Sequence, residues 1–246
     1  MKKEEFHEKH SVRIVLSLLC GALIFCYAPS LVDVNAVPSV LKPSILVVLF
    51  VFLTSFLVSQ ALDRWRAVVS AVRMELSRLR RIVHLSGRVG GQAKWKKDVR
   101  ASAMAYLKSV ARHPIRQYER SHKTFRVFTS HVYGFKPKTA RDQILFDELL
   151  DVARDVAFQR TAIENYLRTG LPNYAWTILS IVAVVTVALL AVSHQGDVLS
   201  RLYASGACTG ILLLLDLLFE TDRLTHRDRH QLKEQYRTNL QDLKQL

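Results

Sequence analysis

The chain has 246 residues, 50% of them hydrophobic, and a formal net charge of +14. That balance leaves room for a few membrane spans and one modest soluble part, and it excludes an ordinary soluble enzyme. The three cysteines, Cys20, Cys26 and Cys208, all fall inside apolar runs, which gives neither a metal-ligand spacing nor a disulfide framework.

Residues 1–13, MKKEEFHEKHSVR, are a polar leader of mixed charge. An apolar run from Ile14 to Ala28, lengthened past Pro29 by Leu31 and Val32, is read as a first span over about residues 14–32. A cleaved signal peptide is the competing reading, because basic residues precede the run and Val34, Asn35 and Ala36 resemble a small-residue cleavage site.

After Pro38 and Pro43, ILVVLFVFLTSFLVSQAL gives a second span over about residues 44–62 and passes into charged helix with no Pro or Gly to break it. One continuous helix is expected to leave the membrane. Val48, Phe52, Phe56, Ser59 and Asp63 share a stripe of it, apolar in the middle and polar toward one end. The plainer reading has the phenylalanines facing lipid or neighbouring helices; the sharper one is a narrow pore. Beyond the lipid, Trp65, Val69, Val72, Leu76, Leu79 and Val83 recur at spacings of four and three, a seam that needs a packing partner or another subunit.

SGRVGGQAKWKK, Ser86 to Lys97, is expected to break the helix as a turn or loop. A helical pattern resumes from Asp98 to Ala111 through Val99, Ala103, Tyr106, Leu107 and Val110, and ends at His113 and Pro114. Ile115 to Lys138 is left without an assigned fold. There Phe125, Val127, Phe128, Val132, Tyr133 and Phe135 lie among cations, a mixture that suits stacking on nucleic-acid bases or seating at a headgroup surface. No recognisable nucleic-acid module is present, so a packed domain is the expectation and nucleic acid is not an expected partner.

Thr139 to Arg168 reads as a helix with Leu145, Leu149, Val152, Val156 and Ile163 on one face and acids at Asp147, Glu148, Asp151 and Asp155 opposite, able to pair with the basic stalk. Asp147 and Glu164 are assigned to ion pairing, since no nucleophile, metal cluster or phosphate loop accompanies them. TGLPNYAW turns the chain back into the membrane, with Gly170 and Pro172 at the turn and Tyr174 and Trp176 suited to the interface. Spans of about residues 174–193 and 202–219 follow, the last carrying small residues at Ala204, Gly206, Ala207 and Gly210 and an ionisable group at Asp216. The charged tail has Leu232, Tyr236, Leu240 and Leu243 along one face, so it seeks the cytoplasmic bundle or another subunit. His226 and His230 lack the further ligands a metal needs.

Charge sets the topology. Residues 63–173 hold 23 Lys or Arg against 10 Asp or Glu, whereas the short connections on the other side carry only Asp33 with Lys42 and Asp197 with Arg201. By the positive-inside rule the central segment is cytoplasmic, and with four spans both termini join it. The expectation is an all-α integral membrane protein of the inner (plasma) membrane with four transmembrane helices. Its parts are a leader (1–13), a transmembrane hairpin (14–62), a basic helical cytoplasmic domain (63–173), a second hairpin (174–219) and a charged C-terminal cytoplasmic helix (220–246).

The order of these parts carries a resemblance. Two spans, a stalk with Glu75 in VRMELSRLRRIV, a YLKSV helix, an amphipathic helix ending at LPNYAW and a last span closing on LLLLDLLF are together similar to the bestrophin-like domain family of membrane proteins. One departure is plain: the family's last span tends to close with a Pro and a Gly near its Asp, whereas here Asp216 is followed by LLFETD. The resemblance implies a homo-oligomer whose second spans surround an axis, by analogy with bestrophins, which are pentameric anion channels. Phe52 and Phe56 would then form an apolar constriction able to gate by dewetting, with Val48 as a third ring. From the residues themselves, Ser59 and Asp63 read as pore or intramembrane polar groups, and Asp216 as either a pore or proton site or a carboxylate near the cytoplasmic end paired with a basic residue of the domain. The stalk arginines would concentrate anions such as chloride. No cofactor, no metal and no catalytic residue is expected. The alternative is a non-conducting signalling or stress-defence component whose basic domain binds a partner or anionic lipid.

Overall fold

The computed structural model describes residues 15–19, 22–23, 43–113, 115–192, 198–222 and 226–245. Among them there is no strand; the elements are seven α-helices and one 3-10 segment. The first expected span lies for the most part outside the described residues, and so do Cys20 and Cys26. Three stretches, within Ser44–Arg88, Ala140–Leu190 and Val198–Asp222, are long and apolar enough to cross a membrane.

Helix α1 runs from Pro43 to Arg88 without a break. At about 1.5 Å per residue its 46 residues reach roughly 69 Å, about twice the thickness of a bilayer's hydrocarbon core. The expected loop over Ser86 to Lys97 shrinks to residues 89–92. Helix continues to Arg88 because Leu85, Ser86 and Val89 are buried, and the reversal falls on Gly91, whose φ of 71° favours a residue without a Cβ. Helix α2, Ala93–Arg112, starts earlier than its apolar pattern predicts. Trp95 anchors that first turn, stacking on Phe135 at 4.6 Å and donating its indole N–H to the His131 carbonyl at 2.7 Å.

The segment left open resolves into a 3-10 segment, Ile115–Ser121, and helix α3, His122–Tyr133. Phe125, Phe128, Val132 and Phe135 are buried there, so these aromatics build a core and are not available to stack on bases. Helix α4, Ala140–Arg168, is capped by Thr139, whose side chain accepts from the Asp142 N–H. Helices α5 (Asn173–Val192), α6 (Val198–Asp222) and α7 (His226–Gln245) complete the chain.

The helices fall into two compact units, Met1–Asp63 with Gly170–Leu224, and Arg64–Thr169 with Thr225–Leu246. The core of the first, apolar unit gathers Phe50 and Leu57 of α1, Leu179, Ala183 and Leu190 of α5, and Ala204, Cys208, Ile211 and Leu218 of α6. The α5–α6 hairpin is closed at one end by Asp222, which accepts from the Leu171 N–H at 2.8 Å and the Trp176 indole N–H at 3.3 Å. Close approach within this unit uses Ala204, Ala207 and Cys208. At Gly206 and Gly210 a Cβ would meet nothing within 4 Å.

The second, basic unit buries one face from each of α1, α2, α3, α4 and α7 around a single core. The acidic side of α4 meets the basic stalk as its charges predict, through Arg78–Asp155 at 3.4 Å and Arg81–Glu148. The apolar face of α7 is satisfied within the same chain: Leu232, Tyr236 and Leu243 are buried, and Arg80 donates to Asn239 and Asp242, both at 2.7 Å.

Candidate functional site

Two places on α1 depart from what burial alone prescribes. In the apolar unit, Phe50, Thr54, Leu57 and Ala61 turn inward, whereas Val48, Phe52 and Phe56 are 69%, 70% and 56% exposed. Ser59 and Asp63 continue the exposed set. At about 100° per residue the two sets centre roughly 170° apart, so α1 has a covered side and an open one. Thr54, the one polar residue of the covered set, satisfies its hydroxyl by donating to the Phe50 carbonyl at 2.8 Å. The open side is a continuous apolar stripe ending in a hydroxyl and a carboxylate.

Asp216 is half-buried on α6. It lines a cavity of about 430 Å³ with Leu16, Ser17, Trp176, Ser180 and Phe219, away from the stripe's residues. The seam expected beyond the lipid is in the core of the basic unit: Val72, Leu76, Leu79 and Val83 are buried and Trp65 and Val69 pack against them at its edge. The buried register is centred slightly to one side of that seam, on Val68, Val72, Leu79 and Ile82.

Glu75 lies in that register and is fully buried. Three phenols converge on its carboxyl. Tyr106 of α2 donates to Oε1, Tyr118 of the 3-10 segment donates to Oε1 at 2.6 Å, and Tyr236 of α7 donates to Oε2. The positive charge stands one step out: Arg160 of α4 donates from Nη1 to the Tyr106 hydroxyl at 2.8 Å and from Nη2 to Glu164 at 3.1 Å. Its guanidinium carbon also lies over the rings of Tyr118 at 4.5 Å and Phe125 at 5.0 Å, a cation–π arrangement. His122 of α3 reaches Glu164 from the surface at 3.3 Å. A polar path therefore joins an exposed imidazole to a carboxyl with no contact with water.

Burial, the largest influence, pushes the Glu75 carboxyl above the ordinary carboxylate range, against the three phenol hydrogen bonds and the Arg160 charge, which pull it down. The tyrosines are pushed well above their usual range, first by burial and then by the nearby Glu75 charge. They stay protonated and act as hydrogen-bonding groups only.

The sequence carried a signal for this cluster that pattern reading passed over. A lone acid stands in register with an apolar seam, and Tyr106 and Tyr236 occupy core-facing positions of two other helices. A buried charge must find partners, so those tyrosines and the inward-facing Arg160 of α4 were the residues to pair with it. Of the two acids singled out as carboxylates, Glu164 holds Arg160 and His122, and Asp147 accepts from Gln143 at 3.1 Å on the surface. Among the described residues no group of three or more His, Cys, Asp or Glu is placed to hold a metal ion.

The family model of the Bestrophin-like domain matches residues 15–222. Among solved structures, the chain is similar to a bacterial bestrophin homolog from Klebsiella pneumoniae carrying a Trp-to-Ala mutation. The TM-score is 0.73 at 13% identity, covering 98% of each chain. A Tyr-to-Ala form gives a TM-score of 0.71 at 14% identity over 96% of this chain and 98% of that one. A third structure of that homolog gives 0.70 at 12% identity over 94% and 97%. At these identities the likeness is one of fold. No curated protein matches the chain.

Proposed function

Because the chain belongs to the Bestrophin-like domain family, we propose that it is an oligomeric membrane channel, permeable to small anions such as chloride, with its pore lined by α1. Copies of the chain surround an axis, five of them by analogy with bestrophins. Val48, Phe52 and Phe56 of each form an apolar constriction, with Ser59 and Asp63 at its end. The observation that carries this reading is the two-sidedness of α1: a helix long and apolar enough to cross the bilayer buries Phe50 and Leu57 against its own chain and leaves Phe52 and Phe56 exposed on the other side. Past Asp63 the same register continues through Arg66, Ser70, Arg73, Ser77 and His84, all exposed. An apolar ring followed by basic lining gates by dewetting and raises the local anion concentration.

In this reading the first span of the four covers about residues 14–32, outside most of the described chain. The basic unit and both termini are cytoplasmic by the positive-inside rule, and the membrane is the inner (plasma) membrane. The chemistry is conduction, not catalysis. One observation favours the second reading, a non-conducting component that binds an acidic partner or anionic lipid: His84, Lys96, Lys97 and Arg100 line a cavity of about 380 Å³ in the basic unit.

Planar-bilayer recording of the purified protein separates the two. A channel with Phe52→Ala and Phe56→Ala passes more current or leaks when the parent is closed. If parent and variant alike show no conductance at any salt gradient, the channel reading fails and the basic cavity becomes the place to look.

A further inference from the structure

The Glu75 cluster is more than packing, because of how α7 is tied to it. Tyr236 of α7 lies 161 positions after Glu75 in the chain, so within the basic unit the two are held together by side-chain contacts. On the side of His230, Glu234, Gln235 and Thr238, a cavity of about 720 Å³ separates it from Arg73, Ser77 and Arg80 of α1. Beyond that cavity its ties are Arg80 to Asn239 and Asp242 and Arg100 to the Leu243 carbonyl at 2.9 Å, all toward its C-terminal end. Around residue 236 the polar tie is the bond from Tyr236 to Glu75.

The phenols that surround Glu75 can donate or accept, and Tyr106 and Tyr118 already share a bond at 2.9 Å in which either is the donor. Both protonation states of the carboxyl can therefore be hydrogen-bonded; what changes between them is a buried charge. Among the described residues that charge has no direct ion pair. Arg160 reaches Glu75 through Tyr106, while its other arm is engaged by Glu164.

We propose that Glu75 is a proton-operated latch on the C-terminal helix: with the carboxyl protonated, α7 stays docked through Tyr236, and loss of that proton loosens the helix. The direction follows from linkage. A carboxyl raised above its unfolded value stabilises the docked arrangement below the unfolded pKa, and that stabilisation is lost as pH rises through the folded value; burial raises Glu75 in this way. Other charged or titratable groups face the cluster or α7 from every packed element. They include Arg73 and Arg80 of α1, Tyr106 and Arg100 of α2, Tyr118, His122 of α3, Arg160 and Glu164 of α4, and His230, Glu234 and Asp242 on α7 itself. The latch does not depend on whether the chain conducts ions.

Hydrogen–deuterium exchange of α7 in the full-length, detergent-purified protein, from about pH 4.5, the ordinary carboxylate value, to about pH 9, tests it after correction for intrinsic exchange. Protection of amides near Tyr236 is expected to fall by up to about tenfold per pH unit as pH rises from the ordinary carboxylate range to the folded value of Glu75, and to level off above it. In Glu75→Gln the fall is absent, and in His122→Ala and His230→Ala it persists. A flat profile in the parent protein, an unchanged fall in Glu75→Gln, or loss of the fall in either histidine variant overturns the proposal. Should Glu75→Gln not fold, Tyr236→Phe decides: α7 is then loose at both pH values with no fall, and a fall like the parent's overturns the latch.

Discussion

Phe52 and Glu75 stand on one helix, and each has the burial the other's chemistry calls for. In the apolar unit a large ring is left open while Phe50, two residues away, is fully covered. In the basic unit a carboxyl is shut away and the chain supplies three phenols and an arginine to receive it. The difference teaches where each unit is complete. Glu75 has all its partners within the chain, so its surroundings determine stability. On the open side of α1, Val48, Phe52 and Phe56 are exposed among the described residues, and in the proposed reading it is lipid or further copies of the chain that meet them.

Arg160→Met should break the comparison most severely. It leaves Glu164 without its buried ion-pair partner and the Tyr106 hydroxyl without its arginine donor, a loss of about 3–5 kcal/mol when one member of a buried ionic group is removed. Denaturant unfolding of the detergent-solubilised protein reads this, and a loss no larger than that of a surface variant would show the cluster to be passive. Leu79→Ala opens a cavity beside the same cluster without touching charge, and a loss of about 2–5 kcal/mol is expected from cavity formation. Phe52→Ala sits at the other extreme: as an exposed position in the isolated chain it should change stability by less than about 0.5 kcal/mol. A large loss there, measured by the same unfolding experiment, would mean that the ring is buried between copies and not facing an open passage.

Much of this was legible from spacing. The unbroken α1, the Thr139 cap, the acidic α4 lying against stalk arginines and the apolar face of α7 each follow from local periodicity and charge. The loop over Ser86 to Lys97 was overestimated because three glycines outweighed Leu85 and Val89, whose burial is decided by distant partners. Trp95 likewise extends α2 through a contact with Phe135 that no local pattern shows. The Glu75 cluster was missed for the same reason. Its members come from five separate segments, and only a three-dimensional arrangement reveals that one acid, three phenols and one arginine meet.

The account rests on α1 surrounding an axis, and electron microscopy of the detergent-purified protein tests that most directly. A closed ring of subunits with the residues 44–62 part of α1 innermost, and Phe52 and Phe56 at its narrowest point, is the predicted result. A monomer, or a dimer with no central passage, would contradict it.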